Sequence, residues 1–163
     1  MLFRSALLRR QLHHHPADQE IRAHNAQLLD QELRGVQGLH LAASDPHVTT
    51  HGHHLYLMRV PELGRESLRD AAVEALHAEG VPAVAGYVPL HRNEAIIEEA
   101  STLAERLGQQ FPQPSCPGAD LVSNDTIWLP QQALLGDERL THAIARAVRK
   151  VVGAGAELRA GAV

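Results

Sequence analysis

The segment from residue 54 to residue 87 constrains the fold most, because it alternates between two periodicities. Residues 54–60 (HLYLMRV) are apolar at almost every position, as in a strand covered on both faces. Residues 65–79 then repeat apolar side chains at helical spacing and end at Gly80. Residues 81–87 are apolar again. The segment therefore predicts a strand, an amphipathic helix and a second strand.

The rest of the chain adds helices and one more strand. Helices are expected at residues 3–14, 17–34 and 95–108 and from Asp137 onward, with Pro16 separating or bending the first two. Residues 37–53 are expected to be loop-like or weakly extended, and residues 111–117 form a proline-rich loop. A short strand is expected at residues 126–130. This order predicts an α+β fold in which helices cover a small sheet.

Length and composition exclude several classes of protein. A chain of 163 residues with 44% hydrophobic residues suits one domain. The net charge of -4 argues against a nucleic-acid partner, which needs a basic face. No apolar stretch reaches the about 20 residues that span a membrane, so a soluble chain is expected. The single cysteine, Cys116, fits a reducing compartment, and we expect a cytoplasmic protein.

No familiar catalytic or metal-binding pattern is present in the sequence. The chain has 12 histidines, but the clusters at residues 13–15 and 51–54 lack the spacing that would bring their imidazoles onto one ion. Cys116 has no basic neighbour that would favour a thiolate. A glycine-rich phosphate loop and a nucleophilic triad are also missing. We therefore predict no catalytic, cofactor-binding or metal-binding residue in this chain.

The turn after the second strand, residues 86–94 (GYVPLHRNE), is the one dense cluster of polar side chains. Tyr87, His91, Arg92 and Asn93 supply hydrogen-bond donors and acceptors suited to a hydroxyl-rich or carboxylate ligand. The alternative is a rigid loop whose polar groups bind one another. Residue spacing alone leaves both interpretations open.

Several short motifs occur in an order that resembles a known family. The helical ones are residues 6–12 and 22–26, and the others are HHLY at 53–56, EGVP at 79–82, YVPLH at 87–91, WLP at 128–130 and LLG at 134–136. Their order is similar to the C-terminal part of the DegT family of pyridoxal-phosphate-dependent sugar and aminocyclitol aminotransferases, with the aminohydroxybenzoate synthase branch nearest. The likeness runs from about residue 5 to residue 152.

The resemblance implies an organisation and a set of ligands. Residues 1–36 would link two domains, residues 37–152 would form a small domain with a mainly antiparallel sheet, and residues 153–163 would be a flexible tail. Tyr87, His91, Arg92 and Asn93 would bind a keto-sugar or keto-cyclitol, or the carboxylate of glutamine or glutamate as amino donor. Family members commonly have His in place of Gly86 and Leu-Gln-Pro in place of residues 92–94, so the correspondence is firmest for Tyr87 and His91.

The resemblance also implies that the cofactor is held elsewhere. In the family it is bound by a lysine of the large domain, whereas the only lysine here, Lys150, falls in the last turn of a predicted surface helix. We therefore expect no transamination by this chain alone, a large domain or a second subunit as partner, and an exposed apolar face on the first two helices. The alternative is a stand-alone regulatory module that binds a small ligand, which would show no such face.

Overall fold

A computed structural model describes residues 2–43, 45–65, 67–112 and 114–155. Its six α-helices are α1 (Leu2–Leu33), α2 (Pro61–Arg65), α3 (Arg69–Ala78), α4 (Glu94–Arg106), α5 (Pro117–Asp125) and α6 (Glu138–Gly153). Its four strands are β1 (His40–Leu41), β2 (Leu55–Arg59), β3 (Val84–Ala85) and β4 (Thr126–Pro130). Short 3₁₀ helices occupy Leu90–Arg92 and Gln131–Leu134. Most of the predicted tail, residues 156–163, lies outside the described residues.

The four strands form one antiparallel sheet in the order β1-β2-β4-β3. Trp128 of β4 lies opposite Leu57 of β2 on one side and Val84 of β3 on the other. Helix α6 packs against both α1 and α3, α3 also packs against β3 and β4, and all three helices share one hydrophobic core with the sheet. The α+β fold with an antiparallel sheet covered by helices is therefore confirmed.

The core lies between one face of the sheet and these helices. Tyr56 and Met58 of β2 and Leu129 of β4 point into it, where they meet the buried inner faces of α1 and α6. Asn25 fixes α1 to the segment before α6, because its side-chain amide donates to the backbone oxygens of Leu134 and Gly136, both at 2.8 Å. A buried amide with both hydrogens bonded in this way sets the position of α1 along the core.

The expected separation of two helices at Pro16 is wrong, since α1 runs as one helix through this proline, and the alternative expectation of a bend stays a prediction. Proline removes one backbone donor and leaves a carbonyl without its helical partner. The side chains around Pro16 are exposed to solvent, so water can satisfy that carbonyl and the helix need not end there.

The expectation that β2 is covered on both faces is also wrong for the described part of the chain. Tyr56 and Met58 are buried, but Leu57 between them is 42% exposed, and Val84 of β3 is 45% exposed on the same outer face. The second strand is shorter than predicted, because the backbone N–H groups of Val81 and Ala83 donate to Leu76 and Val81 in turns and not to the sheet. The outer face of the sheet is therefore apolar and open.

The helix predicted at residues 65–79 is divided, and one helix was missed. α2 ends at Arg65 and α3 begins at Arg69, because Ser67 has a φ of 58°, in the left-handed region that interrupts a helix. α5, which begins with Pro117, was not predicted. α2 crosses the end of α5 so closely that a Cβ on Gly64 would lie 2.6 Å from the Cβ of Asp125. No helix among the described residues is long and apolar enough to cross a membrane.

Candidate substrate-binding site

The polar turn leaves the sheet at β3 and is tied to the neighbouring elements by three hydrogen bonds. The backbone N–H of Gly86 donates to the backbone oxygen of Thr126 at 3.0 Å. The hydroxyl of Ser123 in α5 donates to the backbone oxygen of Tyr87 at 2.9 Å. The indole N–H of Trp128 donates to the backbone oxygen of Ala85. These bonds fix where the turn begins relative to β4 and α5.

Tyr87 stands at the edge of an apolar cleft. The cleft has a volume of about 570 Å³ and lies between the outer face of the sheet, the turn and α5. The ring of Tyr87 meets that of Trp128 edge to face, with centroids 4.5 Å apart and an interplanar angle of 62°. Tyr87 is nevertheless 74% exposed, so most of its ring is open to a ligand or to another polypeptide.

His91 and Arg92 meet a residue that sequence reasoning missed, Asp120 of α5. Nε2 of His91 lies 2.9 Å and Nε of Arg92 lies 2.7 Å from the same oxygen, Oδ1 of Asp120. This oxygen is enclosed, and the two N–H groups reach it at ion-pair distance without the alignment of a hydrogen bond. The side chain of His91 is only 11% exposed, whereas that of Arg92 is 48% exposed.

Asn93 caps the helix that follows it. Its side-chain oxygen accepts from the backbone N–H of Ile96 at 3.3 Å, which makes it the N-cap of α4.

The four predicted residues therefore do not converge on one cavity. Tyr87 lines the 570 Å³ cleft, and His91 lines a neighbouring cleft of about 420 Å³ that shares Pro89, Leu90 and Ala119 with it. Asp120 carries no pattern in the sequence beyond an acid in the first turn of a helix.

The lysine of this chain lies outside both clefts. Nζ of Lys150 is 2.6 Å from Oε1 of Glu79 at the end of α3, and the lysine side chain is 69% exposed. A lysine that holds an aldehyde cofactor needs a desolvated or cationic pocket, so that its amine loses its proton. A solvated amine paired with a carboxylate has the opposite surroundings. Among the described residues, the amine of Lys150 is therefore not suited to bind pyridoxal phosphate covalently.

The second histidine cluster is a packed pair in a loop. The rings of His51 and His53 have centroids 4.3 Å apart, and the backbone N–H of His53 donates to Nδ1 of His51 at 3.0 Å. Partial burial, and then the neighbouring His51, lower the pKa of His53 from its ordinary value of 6.5. Among the described residues no three histidine, cysteine or acidic side chains are grouped so that they could hold a metal ion.

His53 should make the folded chain less stable as the pH falls. Its pKa is lower in the folded chain than in the unfolded chain, so the unfolded chain binds the proton more readily as the pH falls. The contribution is present above the unfolded pKa and is lost below it. His53→Asn, which suits the φ of 44° at this position, should flatten the decline in unfolding free energy between about pH 8 and about pH 5. Urea titrations of both proteins test this, and parallel pH profiles would contradict it.

Comparison with known proteins identifies the family. Residues 2–149 match the DegT/DnrJ/EryC1/StrS aminotransferase family. This chain belongs to that family. The resemblance of the sequence motifs is thereby confirmed, over nearly the whole chain.

Relatives of this DegT-family chain include two curated enzymes. It is 28% identical over 156 residues to 3-amino-5-hydroxybenzoate synthase of Amycolatopsis mediterranei, covering 92% of this chain and 38% of the relative. It is 34% identical over 169 residues to L-glutamine:2-deoxy-scyllo-inosose aminotransferase of Streptoalloteichus tenebrarius, covering 97% of this chain and 39% of the relative. The chain thus spans less than two fifths of the length of these relatives.

Solved structures agree with the sequence relatives. The crystal structure of 3-amino-5-hydroxybenzoic acid synthase superposes with a TM-score of 0.76 at 27% identity, covering 90% of this chain and 37% of that one. The aminotransferase TlmJ from Streptoalloteichus hindustanus gives a TM-score of 0.69 at 26% identity, with 88% and 34% covered. The DegT-family chain therefore has the fold of part of a larger aminotransferase subunit.

Proposed function

We propose that this chain is the C-terminal part of a pyridoxal-phosphate-dependent aminotransferase that acts on a keto-sugar or keto-cyclitol. The amino group would come from glutamine or glutamate. In this proposal residues 1–163 contribute one wall of the substrate cleft and do not transaminate alone. Residues 1–36 form the connection to the cofactor-binding part, and residues 37–152 form the small domain.

The observation that carries the proposal is a family match over residues 2–149 in a chain whose lysine is unsuited to the cofactor. The family is one of aminotransferases, and its relatives are more than twice as long as the matched segment. Lys150 pairs with Glu79 at the protein surface. A chain of this family without a suitable lysine can take part in transamination only by binding substrate beside a lysine on another stretch of polypeptide.

Exposed apolar surface supports the partial enzyme over the stand-alone regulatory module. Leu7, Leu8 and Leu12 of α1 are 51%, 58% and 69% exposed, as expected for a helix that packs against a second domain. The open outer face of the sheet, with Leu57 and Val84, adds to this surface. A self-sufficient module would bury such side chains.

In this proposal the polar turn binds the substrate. Tyr87 offers an exposed ring and hydroxyl at the edge of the 570 Å³ cleft. His91 and Arg92, held by Asp120, add nitrogen donors beside it. Asn93 contributes by ending the turn and starting α4, and its amide completes the set of polar groups. These residues orient a ligand, and the proton transfers of the reaction belong to the rest of the enzyme.

A ligand titration tests this assignment. The relatives named for 2-deoxy-scyllo-inosose make this keto-cyclitol the natural probe. Its addition should shift the NMR signals of residues 86–93, and Tyr87→Ala and His91→Ala should each weaken binding about tenfold, the loss expected for a neutral hydrogen bond and its packing. His47→Ala is the matched control, because His47 also lies 2.9 Å from an aspartate oxygen but far along the chain from the turn. Binding unchanged in both site variants would refute the assignment.

A further inference from the structure

The polar cluster already contains a carboxylate of its own. Oδ1 of Asp120 lies between Nε2 of His91 and Nε of Arg92, at 2.9 and 2.7 Å. This is where the oxygen of a bound carboxylate would lie if the two nitrogens were free to receive it. Only 26% of the Asp120 side chain is exposed, and the Oδ1 atom itself is enclosed. An external carboxylate would therefore have to displace a residue that is built into α5.

The charges around the turn lead to the same conclusion. The positive charge of Arg92 is compensated by Asp120, and Glu94, at the start of α4, adds a negative charge two residues later. An anionic ligand near Arg92 would be attracted by the guanidinium group. The carboxylate of Asp120, at nearly the same distance from the ligand, would repel it. The site therefore has little net attraction for a carboxylate.

A neutral hydroxyl meets no such conflict. A hydroxyl group both donates and accepts, so it can bond to a carboxylate oxygen and to a guanidinium or imidazole N–H at the same time. The ring of Tyr87 and the apolar wall formed by Val88, Leu90 and Trp128 suit the carbon faces of a ring-shaped polyol. The side chains of Arg92 and Asp120 are 48% and 26% exposed, so both kinds of partner reach the surface of the turn.

We propose that Asp120 makes this turn selective for the uncharged, hydroxyl-rich acceptor over the carboxylate of the amino donor. The inference rests on the proposed function, because it assumes that residues 87–93 contact a substrate. Asp120 acts partly through its neighbours, by holding His91 and Arg92 in place, and partly as a charge that excludes anions. The donor carboxylate is then recognised by residues outside the turn.

The test compares two probes on the full 163-residue chain by NMR. 2-Deoxy-scyllo-inosose and L-glutamine are titrated separately, and the signals of residues 86–93 and the Nε–H signal of Arg92 are followed. In the wild type the keto-cyclitol should bind the turn more tightly than L-glutamine. Asp120→Asn, which keeps the shape and removes the charge, should shift the ratio of the two dissociation constants toward L-glutamine by about tenfold or more at low salt.

Two further variants separate charge from structure. Asp120→Glu keeps the acid and should retain most of the preference for the keto-cyclitol, which a merely structural role would not predict. Asp70→Asn is the matched control, because Asp70 also pairs with an arginine Nε, that of Arg69 at 2.6 Å, but lies in α3. It should leave the ratio unchanged. Every variant must give the amide spectrum of a folded protein. If Asp120→Asn does not fold, the preference measured for Asp120→Glu decides the test.

The outcomes distinguish the two proposals. A wild-type turn that binds L-glutamine as tightly as the keto-cyclitol overturns the selectivity and leaves the proposed function standing. The same holds if Asp120→Asn and the wild type give equal ratios. If neither probe moves any signal of residues 86–93, the assignment of the turn as a substrate site fails, and the inference about Asp120 fails with it.

Discussion

Arg59→Ala is expected to lower the free energy of unfolding by about 3–5 kcal/mol, the range for leaving a buried charge without its partner. Asp125, at the end of α5, is 2% exposed. It accepts two hydrogen bonds from Arg59 of β2, from Nε at 3.0 Å and from Nη2 at 2.6 Å. Without the guanidinium a buried carboxylate would have to lose its charge or draw in water.

The reverse deletion should have a smaller effect. The side chain of Arg59 is 39% exposed, so in Asp125→Ala the freed guanidinium can turn toward water. The loss should then be about 1.5–3 kcal/mol, the net contribution of a hydrogen bond to a charged group. The hydrogen bonds to Asp125 also raise the pKa of Arg59, because they favour the charged form of the arginine.

Urea denaturation of the two variants measures this asymmetry. Arg106→Ala, an exposed arginine in the last turn of α4, serves as the control and should change the unfolding free energy by less than about 0.5 kcal/mol. The account would be contradicted if Arg59→Ala were no more destabilising than Arg106→Ala, or if Asp125→Ala were the more destabilising member of the pair.

Those parts of the fold with a strong local periodicity could be predicted from the sequence. The strand at Thr126–Pro130 has the predicted bounds, and the last helix begins after Asp137, whose side chain accepts from the backbone N–H of Leu140 at 2.9 Å. α4 begins at Glu94, one residue before its predicted start. In each case the residues that set the element lie within it or directly before it.

Features that depend on distant partners could not be predicted. Asp120 and His91, and Asp125 and Arg59, are joined only when α5 packs against the sheet and the turn, and no spacing along the chain indicates these pairs. β2 is apolar on both faces because of its amino-acid content, but the described residues supply cover for only one face. Composition alone therefore could not indicate which face of β2 is covered.

The second large effect expected is the failure of the purified chain to capture pyridoxal phosphate. Schiff-base formation needs an unprotonated amine in a pocket that also holds the phosphate and the pyridine ring. Nζ of Lys150 is 2.6 Å from a carboxylate oxygen and is largely solvated, and this residue is the only lysine in the chain. Any reaction should therefore be weak, should fail to saturate, and should be no stronger than that of a free amine.

The absorbance spectrum of the purified 163-residue chain during titration with pyridoxal phosphate tests the central claim most directly. We predict that no saturable visible band forms, and that Lys150→Ala and the wild type give the same spectra. A yellow complex that saturates at one cofactor per chain and is abolished by Lys150→Ala would contradict the claim that the cofactor lysine belongs to another part of the enzyme.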